Sequence, residues 1–375
     1  PNYLLTWEKS YNTNIGIDAA FLNNRIDVSM EYYNTKTKDV IWNKALPVIN
    51  GAFSPDGGPK ANYTTNLNMC ETSNKGFELA LNTRNIITKN FTWSSSVTFN
   101  HNKEKITKLS GGDSDVLNNG DTGYALALGE AINSYYHYKL DGVWQKGEET
   151  DAAVFGAAPG DLKINIPNLV KESDGRFYKI DEETGSAAVD ENGNVIYYTS
   201  DNKYTPSDAD YQILGHNSPD WSLGFQNNFT WKDFDLSVFV YARYGQMFAY
   251  DMLTSYDPKG IRNFPTYFNY WTENNPSNDF PAANANKGLE QYTGYYALRY
   301  VDGSFIKIKN ITLGYSLPKS ILKSAGIEKC RFYATITNPF VFAKSHLLKD
   351  YDPEMNGSLK YPLTKQFVFG VNVTF

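Results

Sequence analysis

The sequence has no run of about 18 apolar residues, so it encodes no helix fit to cross a bilayer. Mean hydropathy is −0.49. That value does not exclude a membrane β-barrel, whose strands place only every second residue in lipid. Cysteine is scarce. Cys70, in an expected loop, and Cys330, in an expected strand, stand 260 positions apart with no metal or redox spacing. Positive charge is not in excess: the net charge is −6, with no basic patch interleaved with aromatics, which argues against nucleic acid as a partner. Histidine is rare too. His101, His137, His216 and His346 are scattered, and none stands in an HExxH or comparable motif. There is no glycine-rich phosphate loop; Gly57–Gly58 and Gly111–Gly112 read as turns. Asp190–Asn194 (DENGN) lacks the spacing and terminal Glu of a calcium loop. The expectation is therefore no catalytic residue, no metal, no cofactor and no enzyme. No signal peptide opens at Pro1, and the chain reads as the far part of a longer one.

Aromatic residues are abundant instead, at 15%, with 28 Tyr, 22 Phe and 7 Trp. Tyr and Trp pair an apolar body with a polar tip, which suits a surface half apolar and half wet. Alternation is the main pattern. Phe367, Phe369, Val371, Val373 and Phe375 share one parity, with Gln366, Val368, Gly370, Asn372 and Thr374 on the other. The same two-residue period recurs from Leu236 to Tyr244, Phe91 to Phe99, Ile26 to Tyr32, Phe77 to Leu81 and Cys330 to Ile336. One segment changes phase, because Ile306 and Ile308 oppose Ile311, Leu313 and Tyr315 in parity. A β-bulge near Lys309–Asn310 would restore the register.

About eleven strands follow, at 10–20, 25–39, 75–87, 91–105, 122–128, 132–143, 220–231, 234–246, 300–316, 329–338 and 365–375. Links at 23–24, 88–90, 129–131 and 232–233 are short, and the link at 318–328 has room for a helical turn. Long polar links lie near 41–74, 106–121, 145–219, 247–299 and 339–364. Short turns at one end and long loops at the other describe an outer-membrane barrel, with periplasmic turns and extracellular loops. On this reading the last strand runs inward and leaves Phe375 at the periplasmic rim. Its partner strand would lie before Pro1, and an odd strand count cannot close an even-stranded bacterial barrel.

Alternation also fits β-sandwiches and propellers. Strands of 10–17 residues exceed the soluble norm of about 5–6. The second faces also carry Asp27, Glu31, Glu78, Arg84, Asp235, Arg243, Lys307 and Arg331. These charges are cheap facing a wet lumen and costly in a dry core, so they are expected to face the lumen. Trp231, Tyr244, Tyr315 and Phe375 fall near strand ends and are expected in interfacial girdles. Trp144, Tyr256, Tyr267, Tyr270, Trp271, Tyr295 and Tyr296 fall in or near long loops, with Asn274, Asn275 and Asp279 close by. Aromatic rings stack on the C–H faces of sugars while Asn and Asp bind hydroxyls, so these are candidate ligand contacts. The competing role is to pack the loops or to meet a capping partner.

A series of ordered stretches resembles the SusC/RagA family of TonB-dependent outer-membrane transporters. They are Leu5–Asp18 (LTWEKSYNTNIGID), Asn24–Val40 (NRIDVSMEYYNTKTKDV), Gly142–Gln145 (GVWQ), Ala157–Lys163 (AAPGDLK) and Tyr270–Pro276 (YWTENNP). Asp302–Pro318 (DGSFIKIKNITLGYSLP), Phe332–Phe342 (FYATITNPFVF), Tyr351–Glu354 (YDPE) and Tyr361–Phe375 (YPLTKQFVFGVNVTF) continue the series. Residues 164–207 depart from the family's acidic stretch, and the pattern returns at Asp208–Gly215 (DADYQILG). The resemblance implies an all-β chain, the C-terminal half of a 22-stranded, plugged transmembrane antiparallel β-barrel. It implies TonB-powered import of oligosaccharides or oligopeptides across the outer membrane, with a SusD-like surface lipoprotein as cap. By family analogy, the insertion machinery reads Phe375. Two other readings of the residues stay open. One is a secreted all-β carbohydrate-binding module. The other is a surface glycoside hydrolase, which needs two carboxylates about 5–10 Å apart.

Overall fold

The computed structural model describes residues 3–45, 64–110, 116–118, 124–255, 266–323 and 326–375. Nine long strands form one antiparallel sheet: β1 (Lys9–Phe21), β2 (Ile26–Ala45), β3 (Thr64–Ile87), β4 (Phe91–Leu109), β5 (Trp221–Trp231), β6 (Phe234–Tyr244), β7 (Phe305–Ser316), β8 (Lys329–Ala343) and β9 (Gln366–Thr374). Each pairs with the next in sequence, an up-and-down meander. Among the described residues the sheet is open, with β1 and β9 at its edges.

Cross-strand pairing sorts the side chains into two faces. Leu79 of β3 opposes Met30 and Phe99; Phe225 of β5 opposes Val97 and Val240; Leu313 of β7 opposes Leu236 and Ala334. This apolar face is bounded by two rows of rings. One row runs Tyr32, Phe77, His101, Trp221, Tyr244 across β2 to β6. The other runs Phe91, Trp231, Phe234, Tyr315, Phe332 across β4 to β8. The rings touch along the rows: Trp221 stacks on Tyr244 at 5.6 Å, and Phe234 meets Tyr315 at 4.7 Å. On β5 the rows are ten positions apart, Trp221 to Trp231. At about 3.3 Å per residue and a tilt of about 40°, that is a band about 25 Å tall.

The opposite face is polar. Asp235 of β6 and Arg331 of β8 form a bidentate pair at 2.9 and 2.6 Å across the intervening β7. Two strand spacings are about 9.6 Å, and the bridge passes over Gly314, where any Cβ would collide with both charged groups. The expected bulge is present: Phe239 opposes Asn310 while Val240 opposes Ile308, so Lys309 is the extra residue. It keeps Ile306 and Ile308 on the apolar face and puts Lys307 on the polar one. Lys307 is completely buried there, ion-paired with Asp352 and, at 2.9 Å, with Glu354, while Lys309 reaches Glu354 at 2.6 Å. The YDPE segment is thereby fastened to the wall. Burial alone would raise the Glu354 pKa, but the two lysines outweigh it and hold it below the usual range.

Three expectations change. The segments expected as strands at 122–128 and 132–143 do not join the wall. Tyr124–Ala127 and Ser134–His137 sit in a separate four-stranded sheet with Val116–Asn118 and Gln212–His216. The cause is visible in Ala125, Leu126 and Ala127, all buried and without alternation, with Leu126 packed on Cys70 and Ile106. Cys70, expected in a loop, therefore lies inside β3, and both thiols are free. The links near 41–74, 106–121 and 339–364 are shorter than expected, because β2, β3 and β4 continue past the ring row into polar sequence, while β8 runs on through residues 339–343 to pair with Phe305. The link after Pro318 holds a helical turn, Lys319–Leu322.

Lys307→Met is expected to destabilise the seated YDPE segment by roughly 3 kcal/mol, because it leaves Asp352 without a counter-charge and Glu354 with Lys309 alone. Proteolysis near residue 355 should accelerate in the full-length protein, and adding Asp352→Asn with Glu354→Gln should restore much of the protection.

Candidate functional site

The long connections gather at one end of the sheet into a folded block. Its frame comes from three stretches far apart in sequence. Trp144 exchanges backbone bonds with Asp161 and Gly160, each at 2.8 Å. Ala282 donates to the Gly160 carbonyl at 2.7 Å. Trp271 Nε1 donates to Gln145 Oε1 at 2.9 Å, and Gln145 Nε2 donates to Asn278 Oδ1 at 3.0 Å. GVWQ, AAPGDLK and YWTENNP thus form one unit. Gly160 is at φ 94°, and a Cβ there would stand 2.7 Å from Ala282 and 2.8 Å from the Trp271 ring, so this close approach needs glycine.

The candidate ligand aromatics divide into two groups. Trp144, Trp271 and Tyr295 are only 5, 7 and 2% exposed. They are core: Trp271 and Tyr295 join Phe248, Tyr250, Phe268 and Phe280, and Trp144 stacks on Phe155 at 5.6 Å under the Lys163 ammonium. A large ring is buried cheaply once its one polar atom is satisfied, as the Trp271–Gln145 bond does. Tyr267, Tyr270 and Tyr296 are 37, 40 and 53% exposed. Asn274 and Asn275 are exposed beside them, and Asn275 Nδ2 donates to the Tyr270 carbonyl at 2.9 Å. Tyr256 lies outside the described residues.

The sequence reading missed a further constellation, because it took 132–143 for wall. A cavity of about 400 Å³ is lined by Tyr138, Leu140, Gln212, Met247, Asn278, Asp279, Leu298, Tyr300 and Leu347. Rings crowd its rim: His137 stacks on Tyr211 at 4.8 Å, and Tyr138 meets Tyr211 edge-on at 4.6 Å. The aromatic run Tyr135–Tyr138 (YYHY) was the available signal. Apolar walls with a few amides and a carboxylate suit non-covalent capture of a ligand. Among the described residues no group of three or more His, Cys, Asp or Glu is placed to hold a metal ion.

The divergent stretch is anchored from below. Its strands Leu169–Lys171, Phe177–Lys179 and Tyr197–Tyr198 make a small sheet. Fully buried Asp210 takes bonds from Lys179 Nζ (2.6 Å), Tyr204 Oη (2.6 Å) and Ser207 N (2.9 Å). Burial would raise the Asp210 pKa, but these donors reverse that and lower it.

On the polar face of the wall, Glu78 accepts from Asn100 at 2.9 Å, Glu31 from Asn14 at 3.3 Å, and Arg243 donates to Tyr241 Oη at 2.7 Å. Arg84, opposite Ser94, has the same parity as Glu78.

Residues 1–157 match the family described as "TonB dependent receptor-like, beta-barrel". TonB-dependent receptor P3 of Formosa agariphila is 28% identical over 99% of this chain and 34% of its own length. The β1 to β4 part of the wall thus falls within the stretch that matches a TonB-dependent receptor β-barrel. TonB-dependent receptor SusC of Bacteroides thetaiotaomicron is also 28% identical, over the whole chain and 32% of its own length. The solved structure of the RagAB peptide transporter shares the fold, with a TM-score of 0.69 at 24% identity over 98% of this chain and 36% of that one. The chain spans about a third of the length of these receptors.

Two outcomes test the block. Gly160→Ala is expected to loosen it by about 1–3 kcal/mol, seen as faster amide exchange at 142–145 and 270–282 in the full-length protein. Burial first, and the Arg299 guanidinium second, push the His137 pKa down to about 4 from about 6.5 in a free chain. The folded state therefore binds fewer protons, so its stability is full above about pH 6.5 and falls as pH drops towards 4. Exchange at 134–138 and 211–216 should rise between pH 7 and pH 5, by roughly 1–2 kcal/mol in protection, and His137→Phe should remove that rise.

Proposed function

We propose that this chain is the wall and ligand-facing block of an outer-membrane importer of the SusC type. It takes up oligosaccharides or oligopeptides, powered by TonB and capped by a SusD-like surface lipoprotein. The observation that carries this reading is the uncovered apolar band about 25 Å tall between two aromatic rows. Phe367, Phe369, Val371, Ile306 and Leu313 are 51–81% exposed within it. Water-soluble monomers rarely leave so large an apolar surface bare, and lipid is the cover that its height fits. Trp231, Tyr315 and Phe375 then mark the periplasmic interface, and Tyr244 the outer one. The polar face with Glu31, Glu78, Arg84, Asp235, Arg243, Lys307 and Arg331 lines the lumen, and the block stands outside the cell.

The chemistry is capture without covalent change. Tyr267, Tyr270 and Tyr296 offer exposed ring faces and Asn274 and Asn275 offer amides, and the cavity of about 400 Å³ adds Gln212, Asn278 and Asp279. An elongated ligand with apolar faces and many polar groups fits such a surface.

The full-length protein is expected in the outer-membrane fraction and to need detergent for extraction. Recovery of a folded, detergent-free soluble monomer would overturn the reading in favour of a secreted binding module. Calorimetry of the complete receptor with its cap against panels of glycans and peptides identifies the ligand. Tyr296→Ala should then weaken binding by roughly three- to tenfold, the worth of one aromatic contact.

A further inference from the structure

Above the outer ring row, the bilayer-facing side of β2, β3 and β4 turns basic. Lys75 of β3 lies directly opposite Lys103 of β4, one pair beyond Phe77 and His101. The next pair of the same parity is Ser73 with Lys105, and Lys36 of β2 opposes Ser73. Parity places these side chains on the face of Tyr32, Phe77 and His101. Lys36, Lys75, Lys103 and Lys105 are all exposed. Lys75, Lys103, Lys105 and Ser73, with Tyr32 and His101, line a recess of about 400 Å³ on the outside of the wall.

Two physical features single out this recess. Like charges directly opposite on neighbouring strands repel. Among the described residues no carboxylate pairs with Lys36, Lys75, Lys103 or Lys105. The strand's own Glu71 is engaged by Lys108 at 3.7 Å. The second feature is depth. Two and four residues beyond the ring row correspond to about 5 and 10 Å along the membrane normal. The headgroup layer is about 5–8 Å thick on each side of the hydrocarbon. Lys75 and Lys103 therefore stand at headgroup level and Lys105 just above it, around a recess with Tyr32 and Phe77 directly below at the start of the acyl region.

We propose that this recess binds the headgroup of a membrane lipid carrying a phosphate monoester, in the leaflet at the block's end of the barrel. Such a phosphate has a charge of about −1.5 to −2, which matches three convergent ammonium groups. The Ser73 hydroxyl adds a donor, and the rings below hold the apolar part of the same molecule. A free anion would gain the charges but not the rings. The proposal rests on the reading that the wall is embedded in a bilayer.

The test uses purified full-length receptor in neutral detergent, titrated with fluorescent phosphatidic acid. Each basic residue at an anionic headgroup is worth roughly a fivefold change in affinity. Lys75→Gln with Lys103→Gln should therefore weaken binding by roughly twenty- to thirtyfold, while Lys232→Gln, at the opposite end of the barrel, should not. Heat-dependent gel migration shows that each variant is folded. If the double variant does not fold, Lys103→Gln and Lys105→Gln singly should each lose about fivefold. Phosphatidylcholine should bind at least tenfold more weakly, and millimolar inorganic phosphate should not displace the probe. Undiminished affinity in the folded variants, equal binding of phosphatidylcholine, or displacement by inorganic phosphate would each overturn the proposal. Failure of the receptor to insert into phosphatidylcholine vesicles is read separately, by flotation, and would overturn the barrel reading beneath it.

Discussion

A single constraint governs this molecule: every strand must present one apolar and one polar face, in register with both neighbours. Side chains alternate with a period of two, so a slip of one residue would turn Glu78, Asp235 and Arg331 into the apolar face. It would equally turn Leu79, Leu236 and Phe332 towards water. Nine strands obey this together, and the two aromatic rows come out level because the registers agree. Where the sequence loses phase, at Lys309, the backbone absorbs one extra residue and preserves the faces.

The polar face follows from the same rule. Its charges are not left alone: Asp235 and Arg331 bridge across Gly314, and Lys307 is closed over by Asp352 and Glu354. A buried ammonium without partners would be very costly, so the bulge that aims Lys307 and the segment that covers it depend on each other. The folded block above the sheet uses another device. Large rings fill its core, and single polar atoms such as Trp271 Nε1 are matched by amides.

Much of the wall was legible in the sequence because alternation is a local signal. Strand identity, short turns and the bulge could be read from runs of ten or so residues around Phe91, Leu236, Ile306 and Phe367. The block was not legible in the same way. Trp144, Trp271 and Tyr295 look like ligand platforms in a linear reading, since a Trp in a polar loop has no visible partner there. Their partners, Gly160, Ala282 and Gln145, stand more than ten or more than a hundred positions away, or face them only after folding. The YYHY run reads as wall in a linear view because short aromatic strands also alternate.

Amino-acid order alone set which residues face apart and where the strands turn, since side-chain period and turn chemistry act between near neighbours. Only the tertiary structure decided which aromatics became core and which stayed exposed. It also decided that the lysines at 75, 103 and 105 meet on one outer recess, and that Cys70 sits within a strand. These outcomes depend on cross-strand register between segments joined by long loops, and register is set by the whole sheet at once.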